Sequence, residues 1–284
     1  MGKMKTKKLA IYGLSAILTL GVLSCKKKKE EKDTETDSAS DNSLASTISN
    51  DMVSISDEAG KTKSVSSFKT SETSAILSSC ATIKFDTLVS SNIDTITVKF
   101  GSTNCLCLDG RTRRGDLVIT YSGKYRDSLT TITIQPQNYF VNDNQVSGSK
   151  TVKNKGHNSS GHLVYDISAS LQITKANNGG VIIWNCNRQR EWTNGESTLV
   201  WYDDIYSITG TASGSSANGS SFNSTITNPL IRNMQPSCRR HFTQGTIVHT
   251  PSGKPERILD FGAGACDDQA TVTINGPVYN ITLP

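Results

Sequence analysis

The stretch that decides the fold class lies near the C-terminus and reads Thr271-Val272-Thr273-Ile274-Asn275-Gly276-Pro277-Val278-Tyr279-Asn280-Ile281-Thr282-Leu283. Its two short segments are rich in Thr, Val and Ile and alternate apolar with polar residues, as β-strands with one buried face do. The Asn275-Gly276 pair between them favours a two-residue turn of type I′. The stretch therefore predicts a β-hairpin.

The same pattern extends over the preceding part of the chain. Thr130 to Tyr139 and His162 to Thr174 are strand-like, and Asn194-Gly195 and Asn218-Gly219 are further turn signals. No amphipathic helix of useful length interrupts them. Because strands that follow one another in sequence usually pair in space, the segment 75–284 is expected to form one all-β domain. We expect an antiparallel meander, built as an open twisted sheet or as an irregular, elongated sandwich.

The first 24 residues have the features of a secretory signal peptide. Four lysines between Met1 and Lys8 precede an apolar run, Leu9 to Leu23, which is shorter than the roughly 20 residues of a transmembrane helix. The run ends at Val22-Leu23-Ser24-Cys25, which resembles a lipobox. That resemblance implies acylation of Cys25 and membrane anchoring through its lipid. The alternative is an ordinary signal peptide with an incidental cysteine.

The segment 25–74 changes composition abruptly. A basic run, Lys26 to Lys29, gives way to acidic residues and then to Ser, Thr, Asn and Asp with no sustained apolar period. Such a segment has too little apolar surface to order itself, so a disordered tether is expected. Loss of the four signal-peptide lysines lowers the formal net charge from +5 to +1. A nearly neutral exported chain gives no reason to expect a nucleic-acid partner.

Six of the seven cysteines remain once Cys25 is set aside, in a chain whose export permits oxidation. Folding the chain near residue 252 places Cys238 opposite Cys266. A turn near residues 91–92 places Cys80 opposite Cys105. Cys107 and Cys186 could pair or stay free. One residue between Cys105 and Cys107 is the wrong spacing for a zinc knuckle, so structural disulfides are favoured over a metal role.

The most suggestive candidate site is the stretch Trp184 to Trp192. On a strand, Trp184, Arg188, Arg190 and Trp192 share one face with Cys186. Two guanidinium groups between two indoles could form a ligand platform for sugar rings or an anion. The alternative is a cross-strand ladder in which arginine stems and indoles cover each other.

Other candidate chemistry has weaker support. The acids around Asp203-Asp204, Asp260 and Asp267-Asp268 could ligate calcium, but turn formation explains them better because no EF-hand or repeat supplies the remaining oxygens. The four histidines are expected to be solvated, on loops and strands. The sequence thus predicts no metal, no cofactor and no catalytic residue. Paired carboxylates for glycoside hydrolysis remain an open alternative, since such partners need not be close in sequence.

The β region resembles uncharacterised lipoproteins of the Bacteroidota. The likeness is carried by residues 120–127 (Thr120 to Asp127), 139–144 (Tyr139 to Asn144), 203–214 (Asp203 to Gly214), 259–262 (Leu259 to Gly262) and 266–276 (Cys266 to Gly276). It implies an outer-membrane, lipid-anchored protein on the cell surface or the periplasmic face, and it implies no activity. We therefore expect a non-enzymatic binding or structural module with a glycan or protein ligand. The alternative is an extracellular polysaccharide hydrolase.

Overall fold

The computed structural model of the chain describes residues 1–2, 32–61, 76–77, 79–87, 94–198, 200 and 202–283. The chain divides into two units, residues 1–32 and 33–284. Of the first unit only Met1, Gly2 and Lys32 are described, so the predicted signal peptide and Cys25 lie outside the described residues. The helix and all strands of the described residues belong to the second unit.

The second unit contains one α-helix and 14 β-strands among its described residues. The helix is α1 (Asp37–Lys61), and one 3₁₀ turn (Ala176–Asn178) joins β7 to β8. The strands are β1 (Thr82–Thr87), β2 (Asp94–Lys99), β3 (Cys105–Leu106), β4 (Thr112–Tyr121), β5 (Thr131–Val141), β6 (Asn144–His157), β7 (Leu163–Thr174), β8 (Val181–Asn194), β9 (Ile205–Ser215), β10 (Ser221–Asn233), β11 (Gln244–Pro251), β12 (Arg257–Ala263), β13 (Gln269–Ile274) and β14 (Val278–Thr282).

All the strands form a single antiparallel sheet in the order β1-β2-β4-β5-β6-β7-β8-β9-β10-β11-β12-β13-β14, and β3 pairs with the start of β4. The sheet is an open meander, which confirms the predicted all-β fold class. Of the two predicted forms, the structure has the open sheet and not the sandwich. The predicted Asn275-Gly276 turn is present, with φ of 50° and 102°. A second turn of this kind, Asn142-Asp143, has φ of 47° and 61° and joins β5 to β6.

One face of the sheet, here called the inner face, is buried. Strand β7 shows this most clearly, because its buried residues alternate with exposed ones along almost its whole length. The inner-face side chains form two apolar clusters. The first extends from Ile96 on β2 to Phe222 on β10, and the second includes Leu230, Leu259 and Val272 on the later strands.

A bulge between β4 and β5 sets the position of one inner-face residue. Ile132 and Ile134 are buried on β5, and the alternation then shifts by one residue so that Tyr139 is buried as well. The shift coincides with Asn138, whose φ is 47°, and with Gly115 opposite it. A Cβ on Gly115 would lie 1.9 Å from the carbonyl oxygen of Asn138, so the close approach of the two strands requires glycine there.

Helix α1 lies against the inner face and is buried on nearly all sides. Its apolar residues Ile48, Met52 and Ile55 join the first cluster, yet Asn42 and Ser49 are buried just as deeply. The expectation of a disordered tether over 25–74 is therefore wrong for residues 37–61. Composition suggested that the segment could not bury enough apolar surface. It did not reveal that distant sheet residues supply hydrogen bonds to the segment's polar groups. Residues 62–75 lie outside the described residues.

Candidate functional site

The proposed ligand platform on β8 is in the interior. Trp184, Cys186, Arg188, Arg190 and Trp192 do share one face of the strand, as the alternation predicts, and all five are buried. The interpretation of these residues as an exposed ligand platform is therefore wrong, because α1 covers this face of the strand. The alternative of mutual packing fits better: the Arg188 guanidinium lies 5.1 Å from the Trp184 ring, within the protein rather than on its surface.

Polar side chains of α1 contact the covered residues directly. The Trp184 indole Nε1 donates to Asn42 Oδ1 at 2.9 Å, and Arg188 Nη1 donates to Ser46 Oγ at 2.7 Å. Lys150 Nζ on β6 donates to the carbonyl oxygen of Ser49 at 2.8 Å and to its hydroxyl at 2.9 Å. Since helix residues three or four positions apart lie on the same side, one side of the helix serves all these partners.

Two more inner-face arginines extend this arrangement. Arg232 on β10 donates to Ser54 Oγ at 2.8 Å and to the carbonyl oxygen of Asn50 at 3.3 Å. The Arg190 guanidinium lies 4.8 to 5.7 Å from the rings of three tyrosines, Tyr206, Tyr165 and Tyr125. Its Nε and Nη2 have no hydrogen-bond partner among the described residues. Arg190 is thus held mainly by cation–π contacts.

The four residues Lys150, Arg188, Arg190 and Arg232 form a buried cationic cluster. Within the described residues none of them takes part in an ion pair. Burial lowers the pKa of Lys150 to about 7, and the charges of Arg188 and Arg232 add to this. Burial and the charge of Arg190 lower the pKa of Arg232 to about 10. The charges of Asp57 and Asp51 oppose these shifts without forming an ion pair with the cluster, which is therefore a region of only partly compensated positive charge.

A second group of charges lies beside this cluster and is paired. Arg113 on β4 is fully buried, and its Nη2 donates to Asp51 Oδ2 and to Asp109 Oδ2, each at 2.6 Å. Arg111 Nη1 lies 3.4 Å from Asp51 and 3.8 Å from Asp109. Burial alone would raise the pKa of Asp109, but its hydrogen bond to Arg113 and the charge of that residue outweigh burial and lower it. Asp109 is thus held as a carboxylate, and both aspartates are in contact with two arginines.

A cavity opens where this paired group meets the helix. It is small: the centre of a water molecule can occupy about 20 Å³ of it. Four arginines and two aspartates line it together with Thr47, Ser54 and Ile76; the charged residues are Arg111, Arg232, Arg239, Arg240, Asp51 and Asp109. Arg239 and Arg240 come from the segment between β10 and β11. At this cavity the inner-face charge of Arg232 reaches the surface.

Most of these site residues were not predicted from the sequence, although the alternation of apolar and polar residues could have identified three of them. Arg113 falls in phase with buried Leu117 on β4, Lys150 falls in phase with Val152 on β6, and Arg232 follows Leu230 by two residues on β10. A basic residue in the apolar phase of a strand is an inner-face charge. Arg239 and Arg240 lie outside any strand, so no periodicity could identify them.

The predicted cysteine pairs are confirmed. Cys80 is bonded to Cys105 and Cys238 to Cys266, with Cα–Cα distances of 5.9 and 4.4 Å. The turn that brings the second pair together lies between Pro251, where β11 ends, and Arg257, where β12 begins, as expected. The turn proposed near residues 91–92 lies outside the described residues. Cys107 and Cys186 are free thiols and are buried.

The acidic residues considered for calcium form local turns. Asp260 Oδ1 accepts from the backbone N–H of Gly262 at 2.8 Å, and Asp267 Oδ1 accepts from that of Gln269 at 3.0 Å. Asp204 Oδ1 instead accepts from the Trp192 indole at 3.2 Å. In the part of the chain that the structure describes, no three His, Cys, Asp or Glu side chains are grouped as metal ligands.

Two of the four histidines are solvated and two are not. His157 and His162 lie at the surface and pair with Glu196 and Glu191, at 2.9 and 2.6 Å. His249 contradicts the expectation of solvated histidines: it is fully buried, and its Nδ1 lies 2.7 Å from Ser224 Oγ. It occupies an inner-face position of β11, which its alternation with Ile247 could have indicated.

Comparison with known proteins adds no assignment. No protein-family model matches the chain, and neither does any curated protein or solved structure. Among the described residues, no helix has both the length and the apolar character needed to cross a membrane.

Proposed function

We propose that this protein is a lipid-anchored component of a bacterial envelope whose β-sheet unit is a non-enzymatic binding module for an anionic ligand. The lipid on Cys25 would hold the protein at the outer membrane, on the cell surface or on the periplasmic face.

The observation that carries the binding proposal is the buried cationic cluster. The hydrogen bonds of Lys150, Arg188 and Arg232 go to serine side chains and backbone oxygens of α1, which are neutral. A buried cation that is not in an ion pair is unfavourable, and an anion placed near it would be stabilised. Of these residues, Arg232 lines the cavity that opens to solvent, so an anion would be attracted to the cluster at that cavity. Acidic glycans are the ligand class that combines this charge with an envelope location.

The second candidate is an extracellular polysaccharide hydrolase. It is favoured by one observation, namely that Asp51 and Asp109 share the cavity and accept hydrogen bonds from the same Nη2 of Arg113. A general acid in such a pair needs a raised pKa. The pKa of Asp109 is lowered instead. The carboxylates are thus suited to holding arginines in place, and the binding function is preferred.

A screen of the full-length protein in detergent against acidic and neutral polysaccharides tests the proposal. We expect binding to sulfated or uronic-acid polymers that weakens as salt rises, because charge attraction is screened. Equal binding to neutral and acidic polymers would remove the proposal. Release of new reducing ends from any polymer would instead support the hydrolase.

The lipid anchor is tested separately by metabolic labelling with palmitate in a bacterial host. The wild-type chain should incorporate label and fractionate with membranes, whereas a Cys25→Ser variant should do neither. Label in the Cys25→Ser variant, or soluble wild-type protein, would exclude the anchor at Cys25.

A further inference from the structure

The cavity beside α1 is built from several separate parts of the chain. Thr47 and Ser54 belong to α1, and Arg111 belongs to the turn between β3 and β4. Arg239 and Arg240 belong to the segment between β10 and β11. Donor groups therefore face the cavity from several directions and not from one plane.

One donor that lines the cavity is buried and unsatisfied. The Arg111 side chain is 8% exposed, and its Nη1 is within ion-pair distance of Asp51 and Asp109. Its Nη2 has no hydrogen-bond partner among the described residues. A buried charged donor without an acceptor is unfavourable, so a hydrogen-bond acceptor placed next to Arg111 would be stabilised.

The two carboxylates in the cavity wall do not accept a hydrogen bond from Arg111 Nη2. Asp51 and Asp109 already accept hydrogen bonds from Arg113, which lies behind the cavity wall. The lining itself has four guanidinium groups against two carboxylates, an excess of two positive charges. An acceptor supplied from outside would thus be attracted, even with both aspartates ionised.

The segment that brings Arg239 and Arg240 to the cavity is held in a compact turn. Cys238 anchors it to Cys266 through the disulfide, and the backbone N–H groups of Cys238 and Arg239 both donate to the carbonyl oxygen of Gln235. Arg239 is half-buried, whereas Arg240 is exposed. The two arginines are placed at the cavity before any ligand binds, and Arg240 can adjust to it.

We infer that the cavity lined by Arg111, Arg232, Arg239 and Arg240 binds a tetrahedral oxyanion, namely a sulfate or phosphate ester group of the ligand. Guanidinium groups that converge from different sides can each contact a different oxygen of a tetrahedral oxyanion, whereas a carboxylate offers only two oxygens in one plane. The Thr47 hydroxyl can donate to the same group. The inference rests on the proposed function and narrows its ligand class to sulfated or phosphorylated molecules.

Titration calorimetry of the full-length protein with inorganic sulfate and inorganic phosphate tests the site. We expect saturable binding by the wild type and at least tenfold weaker binding by the double variant Arg239→Gln/Arg240→Gln. These side chains are at the mouth of the cavity, so the variant should fold, and circular dichroism checks that it does. Lys124→Gln/Lys153→Gln removes two exposed charges elsewhere and should bind like the wild type.

Three results would overturn the inference. They are no binding of either anion by the wild type, unchanged affinity in the Arg239→Gln/Arg240→Gln variant, and an equal loss in the Lys124→Gln/Lys153→Gln control. Binding of acidic polysaccharide that the arginine variant retains would reject this site while leaving the proposed function in place. Binding of sulfate at the cavity by a protein that ignores every acidic polysaccharide would reject that function and keep the site.

His241 offers an independent readout beside the cavity. Burial and the charges of Arg111 and Arg240 lower its pKa to about 4, opposed by Asp268 and Asp267. A bound dianion would offset the arginine charges, so the NMR titration midpoint of His241 should rise when sulfate or phosphate is added. An unchanged midpoint at saturating anion would place the bound anion elsewhere. Glucose 6-sulfate and glycerol 1-phosphate, compared in the same assay, distinguish a sulfated sugar from a phosphate headgroup.

Discussion

The amine of Lys150 on β6 donates to both the carbonyl oxygen and the hydroxyl of Ser49 on α1, at 2.8 and 2.9 Å and across 101 residues of sequence. Both oxygens are neutral, so the contact satisfies the hydrogen bonds of the amine but not its charge. The helix and the sheet are therefore joined at a point that is sensitive to protonation.

The stability of the protein should rise between pH 7 and pH 9 because of Lys150. Its pKa is about 7 in the folded protein and near 10.4 in an unfolded chain, so the unfolded state binds more protons over this range. The gain should be about 2 kcal/mol. Urea unfolding at both pH values measures it, and a Lys150→Met variant should lack most of the gain. An equal gain in that variant would assign it to other groups.

Acid should destabilise the protein through its buried histidines well before most carboxylates titrate. Burial and the nearby charge of Arg257 lower the pKa of His249 to about 4, whereas an unfolded histidine titrates near 6.5. The unfolded state gains protons first as pH falls, so unfolding from pH 7 to pH 5 should become easier by about 2 kcal/mol per such histidine. His249→Gln should reduce this loss, and a variant with the wild-type pH dependence would contradict the assignment.

Removal of the Ser46 hydroxyl should destabilise the protein more than an ordinary helix substitution. Ser46→Ala leaves Arg188 Nη1 without its acceptor in the interior, which should cost about 2 kcal/mol. Ser40→Ala is the matched control on the same helix, and it should be neutral or slightly stabilising because alanine favours helices. Chemical denaturation of both variants makes the comparison. Equal stabilities would mean that α1 does not hold Arg188 in solution.

Thiol counting should reproduce the cysteine pairing. In a Cys25→Ser variant six cysteines remain, of which Cys107 and Cys186 are free. Iodoacetamide should modify two thiols after denaturation alone and six after denaturation with a reductant, as read by intact mass. No free thiol in the denatured, unreduced protein would show that Cys107 and Cys186 pair.

Cys238→Ser should lower the free energy of unfolding by about 3–4 kcal/mol, because the Cys238–Cys266 bond closes a loop of 28 residues.

The Cys238–Cys266 disulfide could be predicted from the sequence, whereas the position of Arg239 could not. The disulfide was predictable because a hairpin that turns near residue 252 brings the two cysteines opposite each other. Arg239 is the neighbour of Cys238, yet its place beside Thr47 of α1 depends on how the whole sheet meets the helix. The turn at Asn142-Asp143 lies between these two cases. Asn and Asp tolerate the left-handed backbone conformation that both residues adopt, so the pair is a local turn signal. A search for turns that contain glycine does not detect it.

What the sequence by itself determined is the antiparallel meander and the two disulfides, because each depends on residues that a single turn brings together. What only the tertiary structure decided is the burial of α1 and of the cations that it covers. Arg232 reaches Asn50 across 182 residues, and Lys150 reaches Ser49 across 101. Serine and asparagine on a free helix favour water. On the inner face they are the hydrogen-bond acceptors of buried cations, and no local pattern carries that information.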